Sequence, residues 1–133
     1  MPRLEGKRAV IIGAAGKDNL GQVLARRFAA EGAQVTVAGR HQDVLAELAA
    51  EIGGHAVTAD ITRTQDNEAL AEAALARMGG IDIAVNCTGW GLLVPFLDTT
   101  RDELEQMTRL QFVGPFEFFQ SMLRRMADGG SIV

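Results

Sequence analysis

Residues Lys7–Arg40, KRAVIIGAAGKDNLGQVLARRFAAEGAQVTVAGR, read as a buried strand, a glycine-bearing turn, an amphipathic helix, a second buried strand and an arginine. The apolar run Ala9–Ile12 delivers the chain to Gly13. The turn then brings backbone N–H groups to the start of the helix, where unpaired donors and the helix dipole favour a pyrophosphate. That order of elements builds a dinucleotide site.

The same alternation continues along the chain. Strands are predicted at Arg8–Ile12, Gln34–Ala38, Ala56–Ala59 and Asp82–Cys87, and a fifth begins at Ser131–Val133. They are short continuous apolar or β-branched runs, the pattern of strands covered on both faces. Helical periodicity falls between them. Leu20–Glu31 places Val23, Leu24 and Phe28 on one side, and Asp43–Ile52 groups Leu45, Leu48 and Ile52. Thr64–Met78 buries Leu70 and Ala74 before Gly79-Gly80, with Thr62 and Gln65 in capping-box spacing at its start. Thr100 and Glu103 give a second capping box, which opens a long helix toward Met126 with a kink at Pro115. Strands alternating with helices predict an α/β fold, a doubly wound parallel sheet of order 3-2-1-4-5 that is cut short at the fifth strand. No linker or composition break divides residues 1–133, which read as one dinucleotide-binding domain.

Composition narrows the function classes. The chain has 133 residues, 47% of them apolar, enough to form a core. Its net charge is −4 and its cations are scattered, so no nucleic-acid partner is indicated. The apolar run Ala9–Gly16 is too short for a signal or membrane segment. Cys87 is the single cysteine, which excludes an internal disulfide and fits a reducing, cytoplasmic setting. His41 and His55 have no neighbours at metal-ligand spacing, so no metal is expected.

The glycines Gly13, Gly16 and Gly21 match neither the Rossmann G-x-G-x-x-G nor a Walker A pattern. Taken alone they describe a plain strand-to-helix turn. Asn19-Leu20-Gly21 opens the helix, and Asn tolerates positive φ. The turn thus reads as a lengthened G-x-x-x-G-x-G loop, with Asn19 in the place of the middle glycine. Three further segments follow in order: Asp60-Ile61 after the third strand, Asn86-Cys87-Thr88-Gly89 after the fourth, and Gln111-Phe112-Val113-Gly114-Pro115-Phe116 on the following helix. Together these four resemble the short-chain dehydrogenase/reductase family, with the last two similar to its N-N-A-G and N-x-x-G-x-F. The resemblance covers essentially the whole chain and implies a Rossmann-like fold, a nicotinamide cofactor, a small carbonyl or alcohol substrate and assembly into dimers or tetramers.

Three departures from the family pattern stand out. The insertion carrying Lys17 and Asp18 resembles the elongated loop of the divergent enoyl reductase branch. Cys87 replaces the second Asn of N-N-A-G. Gln111 stands where the family has the Asn that orders a water in a proton relay; its amide reaches a displaced water or fills space.

Charge bears on the cofactor. An acid at the end of the second strand selects NAD by accepting the ribose hydroxyls. Here Gly39 and Arg40 occupy that place, and a guanidinium binds the extra phosphate of NADP. Lys17 adds a second cation in the turn, so NADP is expected ahead of NAD. The resemblance further implies that Gly13, Asn19, Leu20 and Gly21 hold the pyrophosphate and that Asp60 and Ile61 sit at the adenine. Asp60 alternatively caps the next helix. Asn86 ties the fourth strand to its neighbour or lines the cleft, while Thr88 and Gly89 lie beside the nicotinamide ribose. Trp90 forms a wall of the substrate cleft or packs as an ordinary aromatic. Cys87 reads as a small buried residue. Phe112, Phe116, Phe118, Phe119 and Met122 read as core, with part left for a subunit interface.

The family's chemistry uses a Ser, a Tyr and a Lys, and this chain contains no tyrosine. Ser131 begins the fifth strand, whereas the family's serine follows it, so the acid–base set is expected beyond Val133. Two function classes follow: an oxidoreductase represented by its cofactor half, or a nucleotide-binding module without catalysis. A methyltransferase is disfavoured by Arg40. A sheet ending in a partial fifth strand exposes an apolar edge. The 133 residues alone are therefore expected to associate in solution, and a monodisperse monomer on size exclusion that also melts cooperatively contradicts this.

Overall fold

The computed structural model describes all residues 1–133. Five strands, β1 (Arg8–Ile12), β2 (Gln34–Gly39), β3 (His55–Thr58), β4 (Ile83–Asn86) and β5 (Ser131–Ile132), form one sheet of order β3-β2-β1-β4-β5. Every neighbouring pair is parallel. The expected doubly wound architecture is therefore present, with the fifth strand at an edge. β1 is central: Ile11 lies opposite Val37 of β2 and Val85 of β4.

Side chains alternate across the sheet because successive residues of a strand point to opposite faces. Val10 and Ile12 enter one core with Leu70, Ala74, Phe118 and Met122. Ile11 enters the other with Val35, Val37, Leu45 and Leu48. The helices α1 (Leu20–Ala30) and α2 (Gln42–Ile52) cover the second face, while α3 (Thr64–Met78) and α5 (Gly114–Leu123) cover the first. A shorter helix, α4 (Arg101–Thr108), begins at the capping box predicted for Thr100 and Glu103.

Four local expectations are corrected. The Thr62–Gln65 capping box does not form: Arg63 is the N-cap of α3 and gives no side-chain bond. Thr62 instead donates its hydroxyl to Asp60 Oδ1 at 2.7 Å. The helix expected to run from Thr100 to Met126 divides at a π-helical turn, Arg109–Val113, where Gly114 N–H donates to the Arg109 carbonyl. Pro115 has no N–H to return to Gln111, and the helix widens just ahead of it. Val23 is exposed, because α1 turns Gly21, Gln22 and Ala25 inward. Of the phenylalanine cluster, Phe118 and Met122 are buried and Phe119 packs against the core, whereas Phe112 and Phe116 are 69% and 59% exposed.

Phe118 anchors α5 against α3 and the sheet, and its ring lies edge-on to Phe119 at 5.2 Å. Phe118→Ala is expected to cost about 3–5 kcal/mol of unfolding free energy, read as a lower urea midpoint at unchanged slope.

Candidate functional site

The sheet order reverses between β1 and β4, and a cleft of about 720 Å³ opens at the C-terminal ends of the strands there. Each of four strands contributes the residues that follow it: Gly13 after β1, Arg40 and His41 after β2, Asp60–Thr62 after β3, and Cys87–Trp90 after β4. Gln106, Arg109 and Leu110 close the remaining side from α4 and the π turn.

The turn between β1 and α1 is built around close backbone approach. Gly13 has φ 94°, and a Cβ there would stand 2.5 Å from the Cys87 carbonyl carbon. A Cβ on Gly21 would collide with the Gly13 carbonyl oxygen, so α1 docks directly on the strand end. Two side chains replace what further glycines would do. Asn19 caps α1 by accepting from Gln22 N–H at 3.0 Å while its amide donates to the Gly13 carbonyl at 2.9 Å. Buried Gln22 donates to the Ala14 carbonyl and accepts from Asp18 N–H, both at 3.0 Å. These bonds hold Asp18 at φ 53° in the inserted segment. The N–H groups of Ala15, Gly16, Lys17, Leu20 and Gly21 have no partner in the chain. Five free donors beside the N-terminus of α1 make an anion cradle.

The opposite end of the cleft is differently equipped. Asp60 Oδ1 accepts from the N–H and hydroxyl of Thr62, at 2.9 and 2.7 Å, and Asp60 N–H donates to Asp66. Burial alone would raise the Asp60 carboxyl. The bonds from Thr62 and the charges of Arg40 and Arg63 outweigh it and hold the group below the usual carboxylate range. Its Oδ2 has no partner within the chain and remains an acceptor. Asp60 does not cap α3. Arg40 is exposed at the rim and forms no ion pair, unlike most arginines of the chain.

Of the residues expected at a cofactor, Gly13, Asn19, Arg40, Asp60, Ile61, Thr88 and Gly89 line the cleft together. Lys17, Leu20, Gly21 and Asn86 do not. Leu20 and Gly21 are the first residues of α1 behind the turn, and Lys17 is exposed on the inserted segment. Asn86 works within its own loop, its Oδ1 accepting from Thr88 N–H and Oγ1, while its backbone N–H joins the sheet edge through the Val133 carbonyl. Gln111 also stands off the cleft, and its amide donates to the Trp90 carbonyl at 2.8 Å. Cys87 is half-buried and burial pushes its thiol up, which keeps it protonated and unreactive at neutral pH. Trp90 lines the cleft. Ala15 and Gly16 belong to the Gly13–Gly21 loop but were not singled out as cleft residues; His41, next to Arg40, and Gln106, Arg109 and Leu110 were not expected there.

Comparison with known proteins agrees with this geometry. The family model described as Enoyl-(Acyl carrier protein) reductase matches residues 13–133. A (5R,7aS)-5-hydroxy-7a-methyl-1-oxo-2,3,5,6,7,7a-hexahydro-1H-indene-carboxyl-CoA reductase of Mycobacterium tuberculosis is 36% identical over 98% of this chain and 53% of its own length. A sorbitol dehydrogenase of Cereibacter sphaeroides is 32% identical over 96% of this chain and 50% of its own. Among solved structures, a short chain dehydrogenase from Mycobacterium smegmatis superposes with TM-score 0.93 at 28% identity, covering 99% of this chain and 58% of that one. The chain belongs to the short-chain dehydrogenase/reductase family. It spans about half the length of the curated relatives it matches.

The contact between Gly21 and Gly13 yields a direct test. Gly21→Ala must push α1 off the strand end, and a melting temperature several degrees lower is expected from about 1–3 kcal/mol of overpacking.

Proposed function

We propose that this chain is the cofactor-holding part of an NADP-dependent oxidoreductase that moves hydride between the nicotinamide and a small carbonyl or alcohol substrate. The observation that carries the reading is the set of five unpaired N–H groups at the β1–α1 turn, at the phosphate end of a cleft that Arg40 borders. These residues fit the group. The turn would hold the pyrophosphate, Arg40 the 2′-phosphate, Asp60 Oδ2 and Ile61 the adenine, and Thr88 and Gly89 the nicotinamide ribose. Lys17, Leu20 and Gly21 contribute backbone N–H groups to that turn, Lys17 adds a nearby positive charge, and Asn86 fixes the β4 loop. When bound, the nicotinamide supplies or accepts the hydride. This chain's residues bind and orient, with Trp90 forming one wall beside the substrate. The acid that handles the substrate oxygen is, in the family pattern, a Tyr with Ser and Lys partners. These 133 residues contain no tyrosine. The same reading makes the whole protein a cytoplasmic homo-oligomer, a dimer or tetramer. No helix of this chain is long and apolar enough to cross a membrane.

Gln111 gives a second reading some support, that of a non-catalytic NAD(P)-binding module, because its amide is engaged by the Trp90 carbonyl. Turnover separates the two. Titrating the full-length protein with NADPH and NADH, followed by nicotinamide fluorescence, is expected to show tighter binding of NADPH. Arg40→Asp should move the ratio of the two Kd values toward NADH by about tenfold, the worth of one charged phosphate contact. Binding of neither cofactor sinks the proposal, and an unchanged ratio sinks the assignment of Arg40.

A further inference from the structure

The π turn Arg109–Val113 lies behind the cleft, and two of its side chains reach loops on opposite sides. Arg109 Nε donates to the Thr62 carbonyl at 2.6 Å and its Nη2 donates to Thr64 Oγ1 at 3.1 Å. Glu117, eight residues further on in α5, holds the same guanidinium at 3.5 Å. Gln111 Nε2 donates to the Trp90 carbonyl at 2.8 Å. Thr62 follows Asp60 on the β3 side, whereas Trp90 follows Gly89 on the β4 side. Approach is close at this junction: a Cβ on Gly114 would stand 2.6 Å from the Ile61 carbonyl oxygen and 2.8 Å from that of Arg109. Residues only two apart in sequence thus reach loops at both ends of the cleft.

We infer that the π turn is a two-ended fastener for the dinucleotide cleft, with Arg109 positioning the adenine-side loop and Gln111 the nicotinamide-side loop. The inference rests on the cofactor reading above and adds to it two positioning residues with separable effects. Arg109 keeps the Asp60–Thr62 loop where Asp60 Oδ2 and Ile61 meet the base. Gln111 keeps Thr88–Trp90 against the nicotinamide half. Neither acts by touching the reacting atoms. The extra methylene of Gln relative to Asn serves reach to a carbonyl.

The experiment uses the full-length protein and two probes, NADPH and 2′,5′-ADP, the second lacking the nicotinamide half. Arg109→Met is expected to weaken both probes by the same factor, about fivefold, as expected for a lost hydrogen bond acting at one remove. Gln111→Leu is expected to weaken NADPH alone and leave 2′,5′-ADP unchanged. Arg109→Lys retains one donor toward Thr62 and should recover most of the loss; it also replaces Arg109→Met in the comparison if that variant does not melt cooperatively. Equal weakening of both probes by Gln111→Leu overturns the inference, as does a loss for NADPH without 2′,5′-ADP in the Arg109 variants, or no change in either. If the unaltered protein binds neither probe, the cofactor reading falls and takes this inference with it. If it binds both but the variants do not separate them, only the inference falls.

Discussion

The parallel pairing of β1 with β2 on one side and with β4 on the other governs the arrangement of everything near the cleft. Ala9 to Ile12 are buried on both faces, so β1 cannot move without opening both cores. Its end is thereby fixed between the ends of β2 and β4, and Gly13 must leave the sheet in the narrow space beside Cys87. Only a residue without a side chain fits there, and φ of 94° makes the same demand on backbone conformation. Because chain connections diverge on either side of β1, a crevice at that point follows from topology and needs no special residue to open it.

Polar chemistry is divided along the crevice. At the turn the N–H groups of Ala15, Gly16, Lys17, Leu20 and Gly21 are unpaired and no carboxylate of the turn lines the cleft, with Arg40 beyond them. On the β3 side the unsatisfied group is an acceptor, Asp60 Oδ2. Asp60 stays anionic because its Oδ1 is used twice by Thr62 and because Arg40 and Arg63 lie near. Its depressed value contributes stability above the unfolded carboxylate range, which is lost as pH falls through the folded value. An anion is thus favoured at one end and a hydrogen-bond donor at the other.

Strand and helix positions were legible where pattern and burial agree. β1 and α3 have the bounds that their apolar runs and glycine ends dictate. The elements that differ do so through contacts distant in sequence. Thr62 has capping-box spacing to Gln65, but Asp60 captures its hydroxyl first, and Arg63 becomes the N-cap without a side-chain bond. Val23 sits among apolar residues yet faces outward, because the close contact of Gly21 with Gly13 sets the rotation of α1. Arg109 and Leu110 were illegible as cleft residues for the same reason. Nothing local marks them, and their placement depends on where the helix widens ahead of Pro115.

Gln111, at a position that the family pattern gives to Asn, makes a bond of its own: its amide donates to the Trp90 carbonyl. Residues two apart on a helix point to nearly opposite sides, about 200° apart in a regular α-helix, so Arg109 and Gln111 are directed to different loops. From the π turn, Arg109 donates to the Thr62 carbonyl and Gln111 to the Trp90 carbonyl, each in a loop of the cleft. The proline, the small residue Gly114 and the two long polar side chains form one device. Gly114 lets α5 approach the Ile61 carbonyl, Pro115 withholds the N–H that would close the regular turn, and Arg109 and Gln111 take up the loops thus brought near. The Gln111 amide meets the Trp90 carbonyl at 2.8 Å, so that this side chain ties the π turn to the backbone of the β4 loop.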